Sequence, residues 1–331
     1  MTNRIHATIA GVGHYAPERV LTNDDLSKIV DTNDEWIRTR TGICERRIAA
    51  PGETTSTFAS KAAAAALEDA GIPASEVDAI FVATCTPDMI FPSTACFVQN
   101  AIGAGKAWGY DLSSACSGWL MALETAAGAI ESGRAKVVLA IGAETLSRIT
   151  DWTSRDTCVL FGDGAGAAVL TASDQPGILA TKMGVDGSLA NLLRLPGGGS
   201  LHPASEQTLK DRLHYVHMSG RATFKSAVNV MADTATEIVA AAGLTFDDVA
   251  IMIPHQANLR IVEAVAQKLG GNLMERVFLN LDKYGNTSAA SIPLALSEAW
   301  RQGKIKKGDR VLMVAFGGGL SWGGVILEWT K

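Results

Sequence analysis

Three residues in this chain have the chemistry to handle an activated acyl group, and each stands where a strand is expected to end. Cys116 lies in Ser113-Ser114-Ala115-Cys116-Ser117-Gly118, small residues around one thiol, between an expected strand at Trp108–Leu112 and an expected helix at Gly118–Glu131. A helix N-terminus presents free N–H groups and partial positive charge, which favours thiolate, the form that attacks a thioester. The same setting suits a buried cysteine acting as a small hydrophobe, so the residue alone does not decide. His255, in Pro254-His255-Gln256-Ala257-Asn258, offers a general base or an oxyanion donor, although a lone loop histidine also serves structure. Asn286, in Tyr284-Gly285-Asn286-Thr287-Ser288, has an amide N–H for a developing oxyanion, although a Gly-Asn turn needs no function. The bare backbone N–H groups of Phe316-Gly317-Gly318-Gly319 suit an oxyanion hole.

The elements that must carry these residues read as alternating strands and alanine-rich helices, the pattern of an α/β protein. Ser60–Ala70 reads as a buried helix ended by Gly71; Ala79–Ala83 and Val137–Ile141 read as strands, the latter apolar on both faces and therefore central. His255 follows an expected strand at Val249–Ile253, and Asn286 follows one at Val277–Leu281. The grammar recurs. Ala70-Gly71-Ile72, the Ala122-Leu123 helix and its Gly133 stop are matched in order by Ala242-Gly243-Leu244, Ala295-Leu296 and Gly303, each pair about 170 residues apart. Two similar halves, 1–174 and 175–331, are expected, joined around Thr171–Gly177. Strand ends are where ligands bind in open α/β sheets, so the thiol, imidazole and amide are expected to converge. Phe161-Gly162-Asp163-Gly164-Ala165-Gly166-Ala167 leads into a strand and not a helix, so its glycines indicate tight backbone packing and not a nucleotide site.

The 331 residues are 47% hydrophobic and 19% charged, enough apolar material for a large core. A net charge of −5 argues against a nucleic-acid binder, and the longest apolar runs fall short of a membrane span. No secretory leader is legible after Met1, and five cysteines without paired spacing fit a reducing compartment, so a cytoplasmic location is expected. No metal-ligand spacing is present, and no metal is expected.

Taken together, these positions resemble the β-ketoacyl-acyl-carrier-protein synthase III family of the thiolase superfamily, along nearly the whole chain. The likeness is carried by Asp34-Glu35-Trp36-Ile37, Thr39-Arg40-Thr41-Gly42, Gly162-Asp163-Gly164-Ala165, Pro254-His255-Gln256-Ala257-Asn258 and Gly285-Asn286-Thr287-Ser288. The resemblance implies a five-layered αβαβα thiolase-like fold of two similar halves, a homodimer, and the initiating decarboxylative condensation of fatty-acid synthesis. By it, a short acyl-CoA, acetyl-CoA first, loads Cys116, and malonyl-acyl-carrier protein loses CO2 and attacks; acyl-CoA is a substrate and no cofactor is needed. His255 and Asn286 assist decarboxylation, and the N–H groups of Cys116 and Gly318 form the oxyanion hole. The resemblance further assigns Trp36, Arg40, Arg155, Gly220 and Asn258 to CoA, Phe91 to the primer pocket, and Lys225 and Arg260, with Lys268 nearby, to carrier-protein docking. Trp119 and the serines around Cys116 depart from the family pattern and bear on the primer pocket. A secondary-metabolism relative with a longer or branched primer, a plant-type polyketide synthase with the same triad, and a thioester hydrolase are the competing readings. The segment 196–212 is expected to be a surface flap.

Overall fold

Short apolar runs pair into two sheets and the alanine-rich stretches coil between them in the computed structural model, which describes residues 5–331. The first half of the chain gives strands β1 (His6–Tyr15), β2 (Val20–Thr22), β3 (Glu45–Arg47), β4 (Ala79–Ala83), β5 (Trp108–Leu112), β6 (Val137–Glu144) and β7 (Gly164–Ser173). The rest gives β8 (Ile178–Val185), β9 (Leu193–Arg194), β10 (His217–Met218), β11 (Ile251–Pro254), β12 (Arg310–Gly317) and β13 (Ser321–Glu328). Helices α1 (Asn23–Leu26), α2 (Asp34–Thr41), α3 (Thr55–Ala70), α4 (Thr94–Ile102), α5 (Gly118–Glu131) and α6 (Arg155–Cys158) come first. They are followed by α7 (Glu206–Lys210), α8 (Gly220–Ala241), α9 (Leu259–Leu269), α10 (Leu281–Tyr284) and α11 (Ser291–Arg301).

One sheet runs β1-β7-β6-β4-β5 and the other β8-β13-β12-β11, with two small ribbons, β2–β3 and β9–β10. The parallel pairing of β4 with β6 is matched by β11 with β12, and the antiparallel pairs β6–β7 and β7–β1 by β12–β13 and β13–β8. Helices α5 and α11 lie between the sheets, packed by Trp119, Leu120, Leu123, Ile292 and Leu296. Phe58 and the alanines of α3 cover the outer face of the first sheet, and Met231, Ala235 and Ile238 of α8 cover that of the second. These are the five layers αβαβα. Alanines recur on the buried face of each helix between a few larger apolar side chains, because it packs closely against a sheet. Close approach explains the glycines of β7: a Cβ on Gly166 would stand 2.4 Å from Leu294 N, so α11 can lie on the strand only over bare backbone.

The fifth strand has no full counterpart. Val277–Leu281, expected as a strand, makes one parallel bridge, Val277 with Met252, and then turns into α10. The Gln256 side chain replaces a strand neighbour there. Its Oε1 accepts from Asn280 N (2.9 Å) and Leu281 N (3.0 Å), and its Nε2 donates to Phe278 O (3.1 Å). The helix expected from Ser60 begins five residues earlier, at Thr55, because Thr54 caps it by accepting from Thr57 N; Gly71 ends it at φ +67°. The strand before His255 is shifted to Ile251–Pro254. The 196–212 segment is exposed over most of its length and contains α7.

Candidate active site

Cys116 sits in a 3-10 turn, Ala115–Ser117, at the entrance of α5. Ser117 Oγ fastens this turn to Ser114 O (2.9 Å) and Ser321 Oγ (2.8 Å). A Cβ on Gly317 would stand 2.6 Å from Cys116 N, so the end of β12 reaches the nucleophile's backbone only as glycine. Ala115 is held at φ +44°, a left-handed conformation costing about 1–3 kcal/mol for a residue with a Cβ. The helix entrance is where the sequence places the thiol, and burial there works against the expected thiolate. Burial pushes the thiol up to about 12, with the Ser288 side chain opposing and the Glu144 charge adding to the shift. Desolvation opposes the helix end and favours the neutral thiol.

His255 leaves β11 with its backbone N bonded to Val314 O (2.8 Å), and its Nδ1 lies 2.7 Å from Ser291 Oγ at the start of α11. Among the described hydrogen bonds the Ser291 hydroxyl has no other acceptor. We therefore assign it as donor to Nδ1, which puts the ring proton on Nε2. Nε2 is buried and has no partner among the described residues. Burial alone pushes the ring down to about 3, so it stays neutral. Asn286 is clamped by its backbone: its N donates to Leu160 O (2.8 Å) and its O accepts from Gly162 N (3.0 Å). Asn286 Oδ1 accepts from Ser288 N (2.8 Å), which turns the amide N–H groups the other way.

Cys116, His255 and Asn286 line one cavity of about 160 Å³, together with Gly220, Phe224 and Asn258. A second cavity of about 470 Å³ shares Cys116 and Phe161 with it and is lined by Cys85, Leu146, Ile149 and Gly318. The thiol thus stands where two spaces meet. Trp36 and Arg40, four apart on α2, share a face; Arg40 Cζ lies 5.0 Å and Arg155 Cζ 4.9 Å from the Trp36 ring centre. Arg155 also donates to Asp31 O (2.9 Å). Lys225 and Arg260 are exposed on the neighbouring helices α8 and α9, next in sequence to the lining residues Phe224 and Ile261. Lys268 is engaged by Asp233 (2.9 Å). Phe91 is not brought to either cavity: it is 82% exposed in the loop after β4.

Four polar residues at the site escaped the sequence reading. Ser291 orients His255, and Cys85, set aside as an ordinary cysteine, lines the larger cavity. Glu144 is fully buried at the end of β6, where Thr84, Thr86 and the Cys85 N–H bond its carboxyl. Ser288, at φ +48°, lines the larger cavity with Cys116, and its side chain favours the charged form of both Cys116 and Glu144. A legible signal existed for Glu144 alone: a carboxylate directly after an apolar strand, in Ile141-Gly142-Ala143-Glu144. Among the described residues no group of His, Cys, Asp and Glu could hold a metal ion, and no helix is long and apolar enough to cross a membrane.

Comparison with known proteins points one way. Residues 110–187 match the family described as 3-oxoacyl-(acyl-carrier-protein) synthase III, and residues 239–329 match its C-terminal region. The beta-ketoacyl-(acyl-carrier-protein) synthase III of Roseiflexus sp. (strain RS-1) is 51% identical over 326 residues, 98% of this chain and 99% of that one. The crystal structure of 3-oxoacyl-(acyl-carrier-protein) synthase III from Aquifex aeolicus VF5 superposes with a TM-score of 0.89 at 51% identity, over 97% of this chain and 99% of that one. The priming beta-ketosynthase of the R1128 polyketide biosynthetic pathway superposes with a TM-score of 0.93 at 37% identity, over 100% and 98% of the two chains.

Proposed function

The chain belongs to the β-ketoacyl-acyl-carrier-protein synthase III family, and we infer from its site how it initiates fatty-acid synthesis. It is an acyltransferase, a condensing enzyme with the thiolase fold. The reading proposed for its site is a two-step transfer: a short acyl-CoA, acetyl-CoA first, loads Cys116, and malonyl-acyl-carrier protein then loses CO2 and takes the acyl group as a 3-oxoacyl-carrier protein. What carries this reading is the meeting of a buried thiol, a partner-free imidazole N–H and an oriented amide in one cavity.

In the first step the thiol sulfur attacks the thioester carbonyl, and N–H groups of Cys116 and Gly318 receive the oxyanion. One such donor is worth about 100- to 1000-fold in rate. In the second, decarboxylation leaves an enolate, and His255 Nε2–H with the Asn286 amide supplies two donors to its oxygen. A neutral imidazole suits this role, because it gives a hydrogen bond without surrendering the proton early. Splitting the transfer lets one cavity serve CoA and carrier protein in turn.

Gly220 and Asn258 line the smaller cavity, which supports a pantetheine path past them, and Trp36 offers a face for adenine between itself and Arg155. Arg155 now rests on that ring, at a separation too small for a base to enter, so CoA binding requires it to swing outward. The larger cavity beside Cys116 is the proposed primer pocket. The two sheets support halves at 1–174 and 175–331, since β1 and β4–β7 build one and β8 and β11–β13 the other.

A homodimer through β5 is proposed. That strand is a sheet edge with Trp108 and Tyr110 46% and 44% exposed, beside an apolar loop in which Ile90 and Phe91 are each 82% exposed. Phe91 would then reach the partner's primer pocket. A cytoplasmic location and no cofactor beyond the substrates complete the proposal.

A panel of acyl-CoAs, assayed for 3-oxoacyl-carrier-protein formation with malonyl-carrier protein, tests this reading. Turnover with acetyl-CoA or another short primer, abolished by Cys116→Ser, is the expected result. Release of free acid without any malonyl requirement would replace it with thioester hydrolysis.

A further inference from the structure

Glu144 is a buried acid with no part in the two steps above. It has 0% exposure at the end of β6. Of its four described hydrogen bonds, three go to Oε2: Thr84 Oγ1 at 3.2 Å, Thr86 Oγ1 at 2.5 Å and Cys85 N at 3.1 Å. Oε1 has only Cys85 N at 3.2 Å, which leaves it lone-pair capacity. Ser288 lines the larger cavity beside the thiol, its turn packs against both β6 and the Cys116 turn, and its side chain stabilises charge on both the thiol and this carboxyl. Its left-handed backbone, rare for a residue with a Cβ, is held by the bond from its N–H to Asn286 Oδ1.

We propose that Glu144 accepts the Cys116 thiol proton through the Ser288 hydroxyl during acyl loading. The proposal rests on Cys116 being the acyl acceptor. Sγ–H gives its proton to Ser288 Oγ as Ser288 passes its own to Glu144 Oε1. The freed sulfur electron pair forms the C–S bond to the acyl carbon and the CoA C–S bond breaks. The departing CoA sulfur takes a proton back along the same path, so that thiol plus acyl-CoA becomes acyl-enzyme plus CoA with Glu144 restored.

The alternative acceptor is worse placed and weaker. His255 is bonded through Nδ1 to Ser291, carries its proton toward the cavity, and is pushed down to about 3 by burial. Burial instead pushes Glu144 up to about 7, with the Thr86, Cys85 and Ser288 bonds opposing. The other titratable groups facing Glu144 do not compete. From the β4 side the Cys85 thiol is pushed well above its usual range by burial, and at the start of β7 Asp163 is turned to Ala49 and Ser147. Moving the proton also relieves repulsion, because an ionised Glu144 disfavours an ionised Cys116 and a protonated one does not.

The test is single-turnover acyl loading of Cys116 by intact mass from pH 5.5 to 9, alongside its alkylation by iodoacetamide, in wild type, Glu144→Gln, Glu144→Asp and Ser288→Ala. Expected is a loss of about 100-fold in both rates for E144Q and S288A, with the rise of the wild-type profile near pH 7 abolished and partly restored by E144D. Malonyl decarboxylation, which moves no thiol proton, should fall by far less in the same preparations. Wild-type loading with E144Q and S288A both loading at the wild-type rate and pH profile would overturn the relay. A wild type that never loads would instead overturn the acyl-acceptor reading beneath it. Should E144Q not fold, S288A alone decides by the same criteria.

Discussion

Cys116 and His255 are both held uncharged by burial, and that fixes what each can do before substrate arrives. For His255 the cost appears as acid sensitivity. The unfolded chain binds a proton on this ring near pH 6.5 whereas the folded one resists to about 3, so stability falls as pH drops through that window. Glu144 has the opposite sign: raised from 4.5 to about 7, it costs stability as pH rises between those values. His255→Gln should therefore lose less in Tm than wild type between pH 7 and 4.5, and E144Q less between pH 5 and 7.5; calorimetry across that range checks both. Ser291→Ala removes the donor that sets the His255 tautomer. It should slow malonyl decarboxylation about 10- to 100-fold while Cys116 loading changes little, a split that partial-reaction assays measure. The residue types of the thiol, imidazole and amide were legible, because each follows an apolar run and has small or turn-forming neighbours. Their protonation states were not, because desolvation depends on walls from β4, β6 and α11 that no local window contains.

At the level of elements, Asn286 shows what a periodic pattern misses. Val277–Leu281 has strand composition, yet Gln256, distant in sequence, occupies its hydrogen bonds and one bridge survives. The strands that pair fully were readable since their apolar runs are buried on both faces, as in β4. The start of α3 was missed because Thr54 and Thr57 form a cap without the usual acidic partner. Lys225 and Arg260 are exposed on the packed helices α8 and α9, beside the cavity-lining residues Phe224 and Ile261, a placement suited to the acidic carrier proposed above. Reversing either charge, Lys225→Glu or Arg260→Glu, should raise KM for malonyl-carrier protein about tenfold and leave acyl-CoA loading unchanged. Equal loss in both steps would reject docking.

For the whole molecule, the matched spacings pointed to two similar α/β halves, while the five-layered arrangement of sheets and helices was implied by the family resemblance. The proposed dimer contact could not be read that way: Trp108 and Tyr110 look like strand residues of any kind until β5 is seen to end its sheet. Tyr110→Glu should shift the protein from dimer to monomer in sedimentation velocity at micromolar concentration; a monomeric wild type would contradict the interface. The proposed reaction turns on a covalent intermediate that forms from one substrate and is consumed by another. Intact-mass measurement after mixing with acetyl-CoA and other acyl-CoAs, followed by malonyl-carrier protein, reads both events on one chain. The account predicts a single acyl adduct localised to Cys116, which malonyl-carrier protein discharges as 3-oxoacyl-carrier protein. No adduct with any donor, or an adduct on another residue, would contradict it.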